Sequence, residues 1–376
     1  MNKAAWAEVS VRTLIDNVAV VRSQLRKGVK LCGIIKADAY GHSLKEFSKM
    51  LKYHRLVDMV AVGRIPEVEK IFSIMPDEGV DMLVLGETEA SEISAACRKE
   101  HFDTERVIFS VYSMRQFADI NALGIKIGKR LRVHIRTDNW ITGMGLSYRE
   151  YLENEQLIHK ADGVEVCGLY AHLYSSYSGD REKTRLELEE FDEFVKSMDP
   201  DYRNRLTIHV ANSALIFTFP EYAYDMVRFG AAMYGLTCYD EGKLKQAMKI
   251  CAKIFDVKEI DSKAPLAYHS PESAAKGKRK IARVMIGYWD CPLLLTQKNV
   301  RIGVKGKLYP LADDVCMDNL CIDVTGAGDI SCGDEAVILG EGGMSVNDVL
   351  ALNGIEDIHS DWMCMTAGRL EKIYVK

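Results

Sequence analysis

Between residues 29 and 235 the chain repeats one pattern: a short run of β-branched and apolar residues, a polar turn, then apolar positions at helical spacing. The strand-like runs cover residues 30–37, 58–63, 81–86, 106–112, 131–137, 164–172, 206–211 and 226–230. Helix patterns lie between most of them, at 43–51, 65–72, 89–97, 113–123, 147–161 and 181–198. Parallel strands need crossover helices, which then cover the outer face, so eight such units predict a (β/α)8 barrel of the TIM type. A doubly wound open sheet has the same alternation and stays open on pattern alone.

Beyond residue 245 the texture changes. Runs at 249–260, 280–288, 300–309, 320–324 and 336–339 alternate polar and apolar residues, are separated by Gly, Asp and Lys turns, and largely lack helices between them. This predicts a mostly antiparallel β domain, with one helix at 346–352 and a closing strand at 372–375. Residues 6–11 also alternate, ahead of a helix at 13–25, and are expected to pair with that second domain. The predicted division of this α/β chain is a barrel over 12–242 and a β domain over 243–376 joined by the N-terminal strand, 1–11. No low-complexity linker separates the two, so packed rather than tethered domains are expected.

Composition narrows the function. The chain has 376 residues, 48% hydrophobic and 27% charged, with a net charge of −5 at pH 7, which is ordinary globular make-up. Lys and Arg are mixed with acids rather than gathered into a stripe, which argues against a nucleic-acid partner. Apolar runs such as 59–62 and 231–236 fall far short of the roughly 20 residues that cross a bilayer. The N-terminal MNKAAWAEV carries no apolar core before a cleavage site, so a soluble, cytoplasmic chain is expected. Ten cysteines are widely spaced, and Cys32, Cys167, Cys251 and Cys321 fall in strand-like runs, which reads as reduced core thiols. Neither a CxxC pair nor an HExxH is present, so no metal is expected.

In a barrel, chemistry gathers at the C-terminal ends of the strands. Those ends carry Lys36 with Tyr40 and His42, Arg136 with Asp138, His172, Asn212 with Ser213, and Gly230. A lysine ending an apolar strand is informative, because desolvating an ammonium lowers its pKa toward the range where the amine is a nucleophile. The same residue also suits a lysine that merely leaves the barrel for solvent.

Five stretches decide between these: GIIKADAYGHS at 33–43, HVANSA at 209–214, MVRFGAAMYG at 226–235, IGYWD at 286–290 and CMD at 316–318. In this order, and over nearly the whole chain, they resemble the alanine racemase family. The lysine motif and RFGxxMYG are the specific ones. The resemblance implies a barrel followed by a β domain, a head-to-tail homodimer, and a site that takes a tyrosine from the partner's β domain. By motif, Lys36 would carry pyridoxal 5'-phosphate, and Tyr288 would be the opposing base. Tyr40, Ser213 and the amides around Gly230 and Ala231 would hold the phosphate, a place where loops after strands seven and eight commonly supply donors. Asn212 and Ser360 count with the cofactor pocket, and Ser213 also suits a helix N-cap.

Arg228 would face the pyridine nitrogen and can only donate there, leaving that nitrogen unprotonated and transamination disfavoured. Racemisation needs a base on each face of the substrate Cα. Tyr288 must then have a depressed pKa, with Arg228 acting through His172 as the candidate relay. Taken alone, His172 also suits an ordinary hydrogen-bonded histidine, and Tyr288 a core aromatic on a strand. Met317 and Asp318 resemble the family's loop over the substrate carboxylate, with the Met317 amide as donor.

The chain departs from the family at RTDNWITGMG, residues 136–145, where the family reads KxDTGMxRLG. Its lysine, often carbamylated, falls at Arg136, and its carboxylate-reading arginine falls at Gly143 without a gap. Arg136 is one candidate substitute on the substrate side; a solvated strand-end arginine is the alternative. The family's GYADG becomes GYWDC, the arginine of GRxxMD becomes Asp314, and a pocket tyrosine becomes Ser360. A serine there leaves room and a hydroxyl partner for a polar substrate side chain. These departures look like the cytoplasmic catalytic domain of the VanT-type serine racemases of vancomycin resistance, which are membrane proteins. Serine racemisation, with alanine as an additional substrate, and a membrane half beyond this chain are the expectations that follow. Plain alanine racemisation for the cell wall is the alternative. Fold-related pyridoxal-phosphate decarboxylases carry a cysteine at the second-base position and a Gly-rich phosphate loop, and a non-catalytic cofactor-binding protein would resemble the barrel alone.

Overall fold

The computed structural model describes residues 3–76, 79–140, 144–237, 239–240, 242–266, 277–295, 299–352, 354, 363–365 and 369–376. Strand β1 (Ala5–Ser10) opens the chain and runs into the helix Val11–Ser23. A parallel sheet follows, built from β2 (Lys30–Ile34), β3 (Met59–Val62), β4 (Asp81–Val84), β5 (Val107–Val111), β6 (Leu131–Arg136), β7 (Val164–Tyr170), β8 (Thr207–His209) and β9 (Met226–Phe229). The strands pair in the order β8-β7-β6-β5-β4-β3-β2-β9. The ring is bridged between its ends by Asp225 N donating to Ile208 O at 3.0 Å and Arg228 N to Ala211 O at 2.9 Å. This is the near-closed barrel expected, not an open sheet. Helices Leu44–His54, Ile65–Ile74, Ala90–Cys97, Met114–Ile127, Tyr148–His159 and Arg181–Ser197 supply the crossovers. Strands β3, β5 and β9 are buried along their whole length, which is why they read as continuous apolar runs.

The second sheet contains β10 (Met248–Asp261), β11 (Lys278–Val284), β12 (Arg301–Val304), β13 (Lys307–Pro310), β14 (Leu320–Asp323), β15 (Glu335–Leu339) and β16 (Lys372–Val375), with β1 between β10 and β16. Only the β1–β16 step is parallel, so the sheet is mostly antiparallel, and the N-terminal strand pairs into it as its alternation implies. Residues 300–309, read as one strand, form a hairpin instead. Lys305 and Gly306 take φ of 48° and 76°, the left-handed pair that a two-residue turn requires.

The chain groups into two compact units, Met1–Asn17 with Tyr40–Glu46 and Tyr234–Lys376, and Val18–Ala39 with Phe47–Met233. Residues 12–17, 40–46 and 234–242, read from the sequence with the barrel, therefore group with the β unit. In that unit Tyr40 and His42 stack on Tyr234 at 5.4 and 4.3 Å, and Tyr374 donates to the His42 carbonyl at 3.0 Å. Among the described residues no helix is long and apolar enough to cross a membrane.

Candidate active site

Parallel pairing lines up side chains in rows, and one row of the barrel gathers two arginines, a tyrosine and a histidine. Arg136 pairs with Tyr170 across β6 and β7, Tyr170 with His209 across β7 and β8, and Arg228 with Cys32 across β9 and β2. Arg228 and His209 join the row directly. Nη1 of Arg228 donates to His209 Nδ1 at 2.8 Å and to its carbonyl at 2.9 Å, while Nη2 donates to the Ala171 carbonyl at 2.8 Å. The Tyr170 ring stacks on His209 at 5.0 Å and lies under the Arg228 guanidinium at 5.0 Å. His209 in turn hydrogen-bonds His134, Nε2 to Nδ1, at 2.9 Å.

The protons in this chain follow from the chemistry of its ends. An arginine only donates, so His209 accepts at Nδ1, carries its proton on Nε2 and donates it to His134. Burial and the charge of Arg228 push His209 well down, and burial with Arg132 and Arg228 pushes His134 down to about 3. Both are neutral near pH 7. Burial lowers Arg228 to about 10, so it remains the cation. Its Nε–H has no acceptor among the described residues.

Of the phosphate candidates, Ser213 and Gly230 meet past the ends of β8 and β9, while Tyr40 groups with the β unit. Ser213 Oγ accepts from Gly230 N at 3.1 Å and from Ala232 N at 3.2 Å. Asn212 is the cap of the helix Ser213–Thr218, its Oδ1 accepting from Ala214 N and Leu215 N and its Nδ2 donating to Ser176 Oγ at 2.7 Å. Ala231 begins the short helix Ala231–Tyr234. Asn212, not Ser213, is therefore the N-cap residue, which leaves the Ser213 hydroxyl for the amides.

Lys36 stands past the end of β2, which stops at Ile34, and it is exposed in the single chain rather than desolvated as its apolar run suggested. Arg136 is buried, lies over the Tyr112 ring at 5.2 Å, and has an Nη2 at 3.4 Å from Asp138 Oδ2. Its Nε is buried with no hydrogen-bond partner, so a solvated strand-end arginine does not describe it. His172 is partly buried, and burial, then the charges of Arg228, Arg136 and Lys36, push it down to about 3. No hydrogen bond joins it to Arg228 among the described residues; that role falls to His209.

In the β unit Tyr288 sits on a turn beyond β11, half-buried, not on the strand. The turn is stitched to the segment before β14: Tyr288 N donates to Cys316 O at 3.0 Å and Trp289 N to Met317 O at 3.1 Å. Asp290 Oδ2 accepts from Gly287 N at 3.0 Å, and Arg369 Nε pairs with Asp290 Oδ1 at 2.7 Å. Arg369 also pairs with Asp318, so that carboxylate is engaged by protein. Ser360 and Gly143 lie outside the described residues. Sequence reasoning assigned no role to His209, His134, Asp290 or Arg369. The signal existed for His209 and Asp290, which stand inside two of the quoted motifs. Among the described residues the one cluster with metal-ligand spacing is Glu8, Cys251 and Glu335, and Lys249 Nζ lies 2.8 Å from Glu335 and 3.9 Å from Glu8.

Family models match both parts of the chain: "Alanine racemase, N-terminal domain" over residues 9–238 and "Alanine racemase, C-terminal domain" over 247–374. "Alanine racemase 2" of Caldanaerobacter subterraneus subsp. tengcongensis is 31% identical, over 98% of this chain and 94% of that protein. The solved alanine racemase of Clostridium difficile 630 superposes with a TM-score of 0.89 at 26% identity, over 100% of this chain and 96% of that one. The alanine racemase from Bartonella henselae, solved with covalently bound pyridoxal phosphate, shares the fold at a TM-score of 0.84 and 20% identity, over 99% and 100% of the two chains.

Proposed function

Because the chain belongs to the alanine racemase family, we propose that it racemises alanine with pyridoxal 5'-phosphate as cofactor, using one base on each face of the substrate Cα. The observation that carries this reading is the Arg228 guanidinium. Four donor contacts commit its two terminal nitrogens to His209, Ala171 and Val210, and Nε–H alone is left for a ring nitrogen. The other residues suit the same group. Ser213 Oγ and the Gly230 and Ala232 amides form a polar cluster of phosphate-binding chemistry, and Lys36, two residues past the end of β2, supplies an exposed amine. Lys36, Ser213 and Arg228 belong to β2, β8 and β9 or the segments that follow them, toward the barrel end where such sites are built.

The bound cofactor supplies an electron sink that acidifies the substrate Cα–H. Lys36 Nζ exchanges that proton on one face. Tyr288 Oη of a second subunit in a homodimer exchanges it on the other, since a proton removed from one side must return to the opposite one. Arg136 reads the substrate carboxylate: a guanidinium holds a carboxylate in a fixed plane, and the long 3.4 Å contact to Asp138 leaves it donors to offer. The Met317 amide assists, and Asp318 positions that segment through Arg369 rather than touching substrate.

Lys36→Ala tests the reading. It should abolish both visible absorbance and the borohydride-reducible protein–cofactor linkage, and a variant that still racemises alanine would sink the assignment. Alanine incubated with the wild type in deuterated buffer should gain deuterium at Cα without releasing carbon dioxide. A second reading, serine as an additional or preferred substrate and with it the vancomycin-resistance role, is favoured by Ser360 where the family carries a tyrosine. Ser360→Tyr should then lower turnover of serine more than that of alanine; equal effects on both end it.

A further inference from the structure

Where Lys36 leaves the barrel the backbone enters a region that side chains avoid. Ala37, Asp38 and Ala39 have φ/ψ of 53/51°, 55/43° and 57/50°, Tyr40 has φ 52° and Gly41 φ 80°. Left-handed geometry crowds Cβ against the following carbonyl, and in residues other than Gly it occurs singly, not in a run. Four consecutive non-Gly residues in this state require surroundings that over-determine them.

Glu67 supplies that restraint. It is the third residue of the helix Ile65–Ile74, and both of its carboxylate oxygens accept from backbone amides. Oε1 takes Ala37 N at 2.8 Å, the first residue of the strained turn, while Oε2 takes Gly63 N at 2.7 Å and Arg64 N at 3.2 Å, just past the end of β3. One side chain thus ties the residue after Lys36 to the neighbouring barrel strand. A second tie runs from Lys70 Nζ, on the same helix, to Asp38 Oδ1 at 3.2 Å. Gly63 keeps the space open: a Cβ there would stand 3.3 Å from Glu67 Oε2 and 3.6 Å from Lys36 Cβ.

We propose that Glu67 is the positioning residue for Lys36, holding the left-handed turn that aims the amine at the cofactor. The inference rests on Lys36 being the cofactor lysine. Glutamine at 67 keeps the size but turns one acceptor into a donor facing an amide, which releases one side of the bracket. Glu67 also caps its helix, and strain separates the two roles: glycine at the exposed position 37 adopts φ near 53° without penalty, so it should compensate for a lost restraint and not for a lost cap.

The experiment uses the holoenzyme and follows two readouts, the rate of cofactor release into hydroxylamine and the yield of borohydride-trapped linkage at Lys36. The wild-type linkage is measured first; if trapping labels a different residue, the cofactor-lysine reading fails and not the bracket. Glu67→Gln is expected to release cofactor about tenfold faster or more, Ala37→Gly alone to change release less than twofold, and the double variant to recover at least half of the loss on a logarithmic scale. Release from Glu67→Gln at the wild-type rate, or a double variant as leaky as the single one, overturns the proposal. If Glu67→Gln does not fold, Glu67→Asp carries the test. It keeps the charge but is one methylene too short to reach Ala37 N and Gly63 N together, and release within twofold of wild type would overturn the proposal as well.

Discussion

Gly287 is where a single methyl group should reach the chemistry. A Cβ built on it meets the Cys316 and Met317 carbonyl oxygens at 2.2 Å each. Ordinary contact begins near 3.4 Å, so in Gly287→Ala the turn must retreat by about 1 Å from the segment it is stitched to. The hydrogen bonds from Tyr288 N and Trp289 N to those same oxygens, 3.0 and 3.1 Å long, then stretch to about 4 Å and are lost. Two backbone hydrogen bonds at about 1 kcal/mol each put the stability loss near 2 kcal/mol before any residual clash. The larger effect is on rate: a base displaced by about 1 Å costs on the order of 10²-fold. We expect kcat/KM for alanine to fall by that order in both directions, measured by following optical activity from each enantiomer. The visible cofactor spectrum should stay as in the wild type, because Lys36 is on the other unit. A Gly287→Ala enzyme that folds and racemises within threefold of wild type would refute the claim that this turn sets the position of Tyr288.

Three further outcomes follow from the same geometry. Ser213→Ala removes the acceptor for two amides and the proposed phosphate donor together, so cofactor affinity should fall about tenfold to a hundredfold, as read by titrating apoprotein and watching the visible band. His134 is held down at about 3 in the folded chain against 6.5 unfolded, so the unfolded state binds the extra proton and stability is full above neutral and lost as pH falls; at pH 5 this amounts to about 2 kcal/mol. The urea midpoint should therefore drop between pH 7 and pH 5 more steeply in the wild type than in His134→Gln, and parallel slopes would exclude the histidine as the cause. Arg369→Gln leaves the buried Asp290 carboxylate with the Gly287 amide as its remaining partner among the described residues, and because the arginine is solvent-exposed the stability cost should be small, with a measurable fall in kcat and little change in cofactor binding. Arg369→Lys should recover only part of that kcat, because an ammonium does not span two carboxylates as a guanidinium does.

The barrel was legible because strands such as β3, β5 and β9 are buried on both faces and read as apolar runs, and the strand ends also carry most of the candidate site residues. The first run was drawn too long, to residue 37, because Ile35 and Ala37 continue the apolar pattern while the backbone has already turned left-handed; no propensity argument selects that geometry for alanine. The hairpin at Lys305–Gly306 was missed for a related reason: its flanking residues keep a strand texture, and only the two positive φ values reveal the turn. His209 shows a different limit. Its position within HVANSA was visible, but its partner Arg228 stands nineteen residues on, and only the closing of β9 onto β2 and the bridge to β8 brings the two together. Glu67 and Arg369 were illegible for the same cause, since each acts on backbone or carboxylates far away in sequence.

The histidine chain also explains why a buried arginine can be trusted as a donor. Burial costs Arg228 part of its charge preference, leaving a pKa of about 10. Among the described residues every group that hydrogen-bonds its two terminal nitrogens is an acceptor without negative charge: the carbonyls of His209, Ala171 and Val210, and the neutral ring of His209. A carboxylate in their place would pair with the guanidinium and compete for its donor capacity; a protonated histidine would repel it. With neutral acceptors the cation is fixed in orientation and keeps its full attraction for whatever accepts at Nε. Moving that proton to a ring nitrogen near pH 7 would mean deprotonating a group some three pH units above ambient, about 4 kcal/mol uphill before the acceptor's own basicity is counted. A cofactor ring nitrogen placed at Nε, as proposed, would thus be offered a hydrogen bond but not a proton.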